Sequence, residues 1–246
     1  MLIDDTPVSL RLERLRPGIG RQLFAGPQPV AVPAWPGTAL RQLSLRRLDA
    51  LLDGLALAGV VPACAHAIRP RQLAHLAGRL CAEAALYALT GRYHSVGRQP
   101  DGAPCWPAGV LGSITHDAHG ALALLAYRSD YRWLGIDVEP LLDEAGCEAV
   151  RHACLTSRER GWLAAARRPA AEATLRFSAK EAYYKAVQPV LGGPMGFLDV
   201  ELAPLEPGRQ TFRVVPAANP ATRDGLPVLE GRFVEEGGRV VAVIAA

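Results

Sequence analysis

Two short runs in this chain carry residues that could do chemistry together. In Gly135-Ile-Asp-Val-Glu139, Asp137 and Glu139 are two positions apart, so on a strand both project from one face. Neighbouring carboxylates repel unless a proton or cation lies between them, and hard oxygen donors suit Mg²⁺. The bare pattern also fits a solvent-facing strand edge. In Phe177-Ser-Ala-Lys-Glu-Ala-Tyr-Tyr-Lys185, Glu181 and Lys185 are four apart and share a helical face, with Lys180 turned to one side. As a surface pair they are worth roughly a few tenths of a kcal/mol. As a site, Glu181 becomes a third metal ligand or a general base, and Lys185 a phosphate contact. His116 follows Ser113-Ile-Thr115 at the mouth of a strand, where its ring can donate to phosphate. His116-x-x-His119 lacks the second Cys or His pair that a zinc site needs.

The elements that would position these residues are mixed. Residues 17–37 are rich in Pro and Gly and read as loops with short strands such as Val30–Val32. Apolar residues at helical spacing predict a helix over Leu40–Leu57 and a second from Pro70 to about Leu89, stopped by Gly91. A loop is expected over Gly97–Gly109. Ala121–Tyr127 is a continuous apolar run suited to a buried strand, and Trp133–Val138 is another candidate. Thr156-Ser-Arg-Glu159 fits a capping box. A helix is expected from Leu175 to about Val187, stopped by Pro189. Strands follow near Phe197–Leu202, Gln210–Val215, Leu229–Val234 and Arg239–Ile244, the last two joined by Glu235-Glu-Gly-Gly238. Strands and helices without regular βαβ alternation define an α+β class.

Charge divides unevenly. Residues 1–134 hold 14 Arg against nine acids, whereas residues 135–246 hold 13 basic residues against 15 acids. A basic first half suits a polyanionic ligand or acidic partner, and an acidic second half suits a metal. Of 27 basic residues only Lys180 and Lys185 are lysines, which raises the question of whether that site needs a compact ammonium. The five cysteines (64, 81, 105, 147 and 154) are odd in number and irregularly spaced, as for reduced thiols in a cytoplasm. The start, Met-Leu-Ile-Asp-Asp, argues against a secretory signal. No apolar run approaches the roughly 20 residues that span a bilayer. The Leu48–Cys64 stretch is broken by Asp49, Asp53, two glycines and Pro62. A Walker phosphate loop, a dinucleotide fingerprint, a nucleophile elbow and nucleic-acid-binding motifs are missing.

Together these pieces resemble the 4′-phosphopantetheinyl transferase family, which carries G-[IV]-D-[IV]-E and, some forty residues on, [FW]-[ST]-x-K-E-[AS]-x-x-K. Upstream, Trp106-Pro-Ala-Gly-Val-Leu-Gly-Ser-Ile-Thr-His116 is similar to a stretch of the enterobactin-synthase component D branch, as are Leu76-Ala-Gly-Arg79 and the region of Arg98-Gln-Pro100. The match spans roughly residues 70–200. Where surfactin-type relatives carry an arginine a little after the Leu-x-Gly segment, this chain has Glu83.

The resemblance implies a pseudo-twofold α+β fold of two similar halves, 1–134 and 135–246, with the active site between them. It implies transfer of 4′-phosphopantetheine from coenzyme A to a serine of an apo acyl or peptidyl carrier protein, leaving 3′,5′-ADP. Asp137, Glu139 and Glu181 would hold Mg²⁺; His116 and Lys185 would contact phosphate, with Lys180 and Thr115 beside them. Arg71, Arg79 and Arg98 would face the 3′-phosphate and adenine end. Glu181 or a metal-bound water would take the serine proton. The protein would be a cytoplasmic monomer, serving fatty-acid, polyketide, siderophore or other peptide synthesis, without nucleic-acid or membrane partners. Two rivals stand beside this expectation: a non-catalytic coenzyme A-binding scaffold, and an unrelated α+β interaction protein.

Overall fold

The computed structural model describes residues 6–25, 31–33, 35–55, 57, 60, 66–100, 102–206, 208–218 and 225–246. The chain divides into two compact units, Met1–Pro29 with Pro36–Asp130, and Val30–Trp35 with Tyr131–Ala246. Each is built on an antiparallel sheet crossed by one long helix.

In the first unit, α1 (Val8–Leu15) and α2 (Ile19–Leu23) precede β1 (Thr38–Ser44), α3 (Leu45–Leu51) and α4 (Arg69–Thr90). After these come β2 (Gly97–Arg98), β3 (Pro104–Cys105), β4 (Val110–His116) and β5 (Gly120–Tyr127). The main sheet runs β1-β5-β4, so β5 is central and buried from Gly120 to Ala126, which accounts for its unbroken apolar run. Leu73, Leu76 and Leu80 of α4 enter the same core as Ala121, Ala123 and Leu125. Gly91 ends α4 in the left-handed conformation, its N–H donating to Tyr87 O.

Several sequence expectations change here. Leu40–Ser44 form strand, not helix, with Leu40 opposite Leu124 and Leu43 opposite Ala121. A buried central strand needs backbone partners along both edges, and that pairing outweighs the local helical spacing. The helix begins only after Ser44, whose Oγ accepts from Arg47 N. Residues 19–23, expected in a loop, form α2, and the 97–109 loop contains the short β2–β3 pair. Of the expected Val30–Val32 strand, residues 31–32 have no regular structure and Val30 lies outside the described residues, as does Cys64.

In the second unit, β6 (Leu134–Pro140) leads to α5 (Glu144–Ala153), α6 (Ser157–Ala164) and α7 (Pro169–Leu191). A 3-10 turn (Phe197–Asp199) precedes β7 (Val200–Leu202), β8 (Thr211–Pro216), β9 (Leu229–Glu236) and β10 (Arg239–Ala245). The sheet order is β6-β10-β9-β8-β7. Gly237 and Gly238, both at positive φ, make the two-residue turn between β9 and β10. Asp143 caps α5, and the Thr156/Glu159 capping box opens α6 as expected. Helix α7 is longer than its apolar spacing suggests. It starts at Pro169, and Pro189 falls within its last turn, where the missing N–H removes one hydrogen bond and Gly192 closes the helix.

One contact fixes the second unit. Gly135 lies so close to α7 that a Cβ there would fall 2.0 Å from Ala182 O and 3.0 Å from Ala186 N. Backbone atoms cannot yield as a flexible side chain can. Gly135→Ala is therefore expected to lower stability by about 3 kcal/mol or more. Urea unfolding followed by circular dichroism checks this; an unchanged midpoint would mean that β6 and α7 can separate at no cost.

Candidate active site

Residues 135, 137 and 139 share the face of β6 that meets α7, because strand side chains alternate. The close approach at Gly135 carries Asp137 to the side of α7. There Lys185 Nζ donates to Asp137 Oδ1 at 2.5 Å; the lysine side chain is 26% exposed and the aspartate 3%. Glu181, one turn before Lys185, belongs to the same cluster. Burial raises its carboxyl above the usual carboxylate range; the Lys185 charge opposes this, and the Asp137 charge adds to it. Glu139 is half-buried, two residues along the same face of β6. Glu181 also lines a pocket of about 180 Å³ with Tyr184, Met195 and Phe197. Among the described residues, no three His, Cys, Asp or Glu side chains close into a ready-made metal cluster.

Lys180, expected beside the phosphate contacts, is turned into the protein interior. Its side chain is 1% exposed, and Nζ donates to Glu159 Oε2 at 2.6 Å, Cys154 O at 2.8 Å and Phe197 O at 2.8 Å. An ammonium has three donors, and all three are given to protein acceptors. Burial pulls Lys180 below the ordinary lysine range while Glu159 works against that fall. Glu159 is itself fully buried: Oε2 also accepts from Thr156 N, Oε1 accepts from Leu202 N at 2.9 Å, and Arg176 lies 3.6 Å away. The sequence shows Glu159 only as a capping residue; nothing in local spacing reveals that Lys180 reaches it.

The first unit holds a separate pocket of about 650 Å³, lined by Arg71, His75, Arg79, Arg98 and His116 among others. Arg71, His75 and Arg79 follow at four-residue intervals on α4 and so share a face. That periodicity was the available signal for His75, which the motif reading passes over. Arg79 Nη1 donates to Val96 O and Gly97 O, tying α4 to β2, and Arg98 Nε donates to Gly102 O. His75 is held down at about 4, chiefly by burial and then by the charges of Arg79, Arg98 and His116.

The glycines of the Trp106–His116 stretch have distinct reasons. Gly109 turns at φ +80°, and a Cβ on Gly112 would lie 2.6 Å from the Trp106 ring. Ile114 and His116 face the pocket, so alternation turns the buried Thr115 to the other face of β4, away from the arginines. Thr115, expected at the cofactor site, lies outside this pocket. Glu83 faces elsewhere. Its carboxylate accepts from Val8 N, Ser9 N and Ser9 Oγ, capping α1.

Comparison with known proteins identifies the family. Residues 60–126 match the 4′-phosphopantetheinyl transferase N-terminal domain, and residues 134–232 match the 4′-phosphopantetheinyl transferase superfamily. The 4′-phosphopantetheinyl transferase Npt of Nocardia iowensis is 32% identical over 74% of this chain and 85% of its own length. PptT of Mycobacterium tuberculosis is 31% identical over 85% of this chain and 94% of its own. Enterobactin synthase component D of Salmonella typhi is 31% identical over 72% and 73%. This chain belongs to the 4′-phosphopantetheinyl transferase superfamily.

Two measurements check the site's electrostatics. By NMR, His75 is expected to titrate near 4, and Arg98→Gln to move it upward; a value near 6.5 in the parent would contradict its burial among positive charges. Because folding depresses this pKa, the unfolded chain takes up the proton first. Stability is then lost as pH falls from about 6.5 towards 4. Separately, Lys180→Met, which strands buried Glu159, is expected to lower stability by about 3–5 kcal/mol in denaturant titration. A small loss would remove Lys180 from its structural role.

Proposed function

We propose that this chain moves the 4′-phosphopantetheine group of coenzyme A to a serine hydroxyl of an apo acyl or peptidyl carrier protein, with Mg²⁺ as its metal, leaving 3′,5′-ADP. The observation that carries the reading is the meeting of Asp137, Glu181 and Lys185 at the β6–α7 contact, in a chain of this superfamily. A polyphosphate reaction needs negative charge neutralised and an attacking hydroxyl relieved of its proton.

The donor set suits Mg²⁺: the oxygens are hard, and Asp137 lies close enough for its charge to add to the burial that raises the Glu181 carboxyl. Asp137, Glu139 and Glu181 would hold the ion, which when bound neutralises charge on the pyrophosphate. Lys185, on a flexible and partly exposed stem, would exchange Asp137 for a phosphate oxygen. Glu181, made more basic by burial, would accept the serine proton. Arg71, Arg79 and Arg98 with His116 would take the 3′-phosphate end, in a pocket where burial and then positive charge lower the His75 pKa. Lys180 and Thr115 are left out of this assignment. The substrates are those of a cytoplasm, and the reading makes the protein a cytoplasmic monomer. Among the described residues no helix is long and apolar enough to cross a membrane.

Incubation with coenzyme A, Mg²⁺ and apo carriers of fatty-acid, polyketide, siderophore and other peptide synthesis tests the reading. The expected outcome is a carrier whose intact mass rises by one phosphopantetheine, with no gain when the metal is chelated. Glu181→Gln is expected to lose roughly a hundredfold or more in turnover while remaining folded. Failure with every carrier, by a folded protein that binds coenzyme A, would favour a non-catalytic scaffold instead.

A further inference from the structure

The chain contains two lysines among 27 basic residues, and both lie on α7 against a buried carboxylate. Their settings differ. Lys180 is enclosed and gives its donors to Glu159, Cys154 O and Phe197 O. Lys185 reaches Asp137 from a side chain that is a quarter exposed, so its ammonium can leave without unpacking the helix. An ammonium is a compact charge on a flexible stem, whereas a guanidinium would grip a carboxylate as a two-pronged fork. In a chain that uses arginine almost everywhere else, the cation at Asp137 is the kind that can let go.

Asp137 is also the carboxylate assigned above to the metal. An ammonium 2.5 Å from Oδ1 already occupies the space and satisfies the charge that a divalent ion would seek there. We propose that Lys185 is a built-in counter-ion that holds divalent metal off Asp137 until a polyphosphate ligand draws the lysine away. Metal and coenzyme A then bind as a coupled pair, each strengthening the other by the same factor. Until that moment the carboxylates are not left as an uncompensated cluster, since Lys185 supplies the positive charge. This inference rests on the transferase reading and concerns the order in which its ligands enter.

Mn²⁺, followed by the loss of its free-ion paramagnetic resonance signal, serves as the probe. Without coenzyme A, Lys185→Met is expected to bind Mn²⁺ roughly tenfold more tightly than the parent chain. Lys185→Arg is expected to bind it no more tightly than the parent. In the parent, coenzyme A should tighten Mn²⁺ binding, and calorimetry should show Mn²⁺ tightening coenzyme A equally. In Lys185→Met that mutual factor should shrink. Lys185→Gln provides a second neutral side chain if the methionine variant melts early. Neutral variants that bind Mn²⁺ no more tightly than the parent overturn the proposal, even if the parent transfers phosphopantetheine normally. Absence of Mn²⁺ binding in every variant, with and without coenzyme A, overturns both this proposal and the assigned metal ligands. Absence of transfer by a parent chain that shows the lysine effect overturns only the catalytic reading.

Discussion

The close approach of β6 and α7 at Gly135 is the constraint on which the site depends. A strand and a helix normally stand apart by the width of their side chains. Here the missing Cβ lets the Ala182 carbonyl rest almost on the strand backbone. That proximity makes a short cross-element bond possible: Lys185 is three residues beyond Ala182, Asp137 is two beyond Gly135, and their charged ends meet. Glu181, beside Ala182 in the helix, is brought under the influence of Asp137 by the same contact. The glycine of the G-I-D-V-E run is thus a positioning residue for the acids that follow it. Its role is to contribute no side chain.

Closeness alone would leave α7 free to rotate about its axis. A second feature opposes rotation. Arg176 and Lys180, four residues apart, both engage buried Glu159, and Glu159 also accepts from Thr156 N and Leu202 N. One carboxylate therefore ties the start of α6, the end of β7 and the middle of α7 together. Burying these charges costs desolvation, which the ion pairs and surrounding hydrogen bonds must offset, so the net contribution to stability is modest. The arrangement is directional, however. Turning α7 by one residue would strand a charge in the interior. The two lysines thus divide the work: Lys180 holds the helix, and Lys185 presents to the site.

This division explains what was legible in the sequence. Paired spacing along one element could be read: Asp137 with Glu139 on a strand, Glu181 with Lys185 on a helix, Thr156 with Glu159 at a cap. Punctuation could be read too, since Gly91 and the Gly237–Gly238 turn have backbone conformations that other residues resist. Facts set by a distant element could not. Leu40–Ser44 have helical spacing but are claimed by the open edge of β5. Lys180 looks like a site residue until the position of Glu159 is known. The use of Glu83 as a cap for α1 depends on a segment 74 residues away. His75 was within reach, because its spacing from Arg71 and Arg79 is visible; a histidine between two arginines simply matched no motif.

The pocket of the first unit applies a different electrostatic rule from the β6–α7 site. Around Asp137 opposite charges are paired within the protein, and a ligand must compete for them. Around His75 burial comes first, and like charges add to it: Arg79, Arg98 and His116 all oppose a proton on its ring, so the pKa of the histidine is lowered. Arginine suits such a place because it keeps its charge even when crowded, whereas a buried histidine can give up its proton. Part of the positive potential is anchored to the backbone, through Arg79 to Val96 O and Gly97 O and through Arg98 to Gly102 O. A bound polyanion would offset these charges, while the burial of His75, the larger cause, would remain.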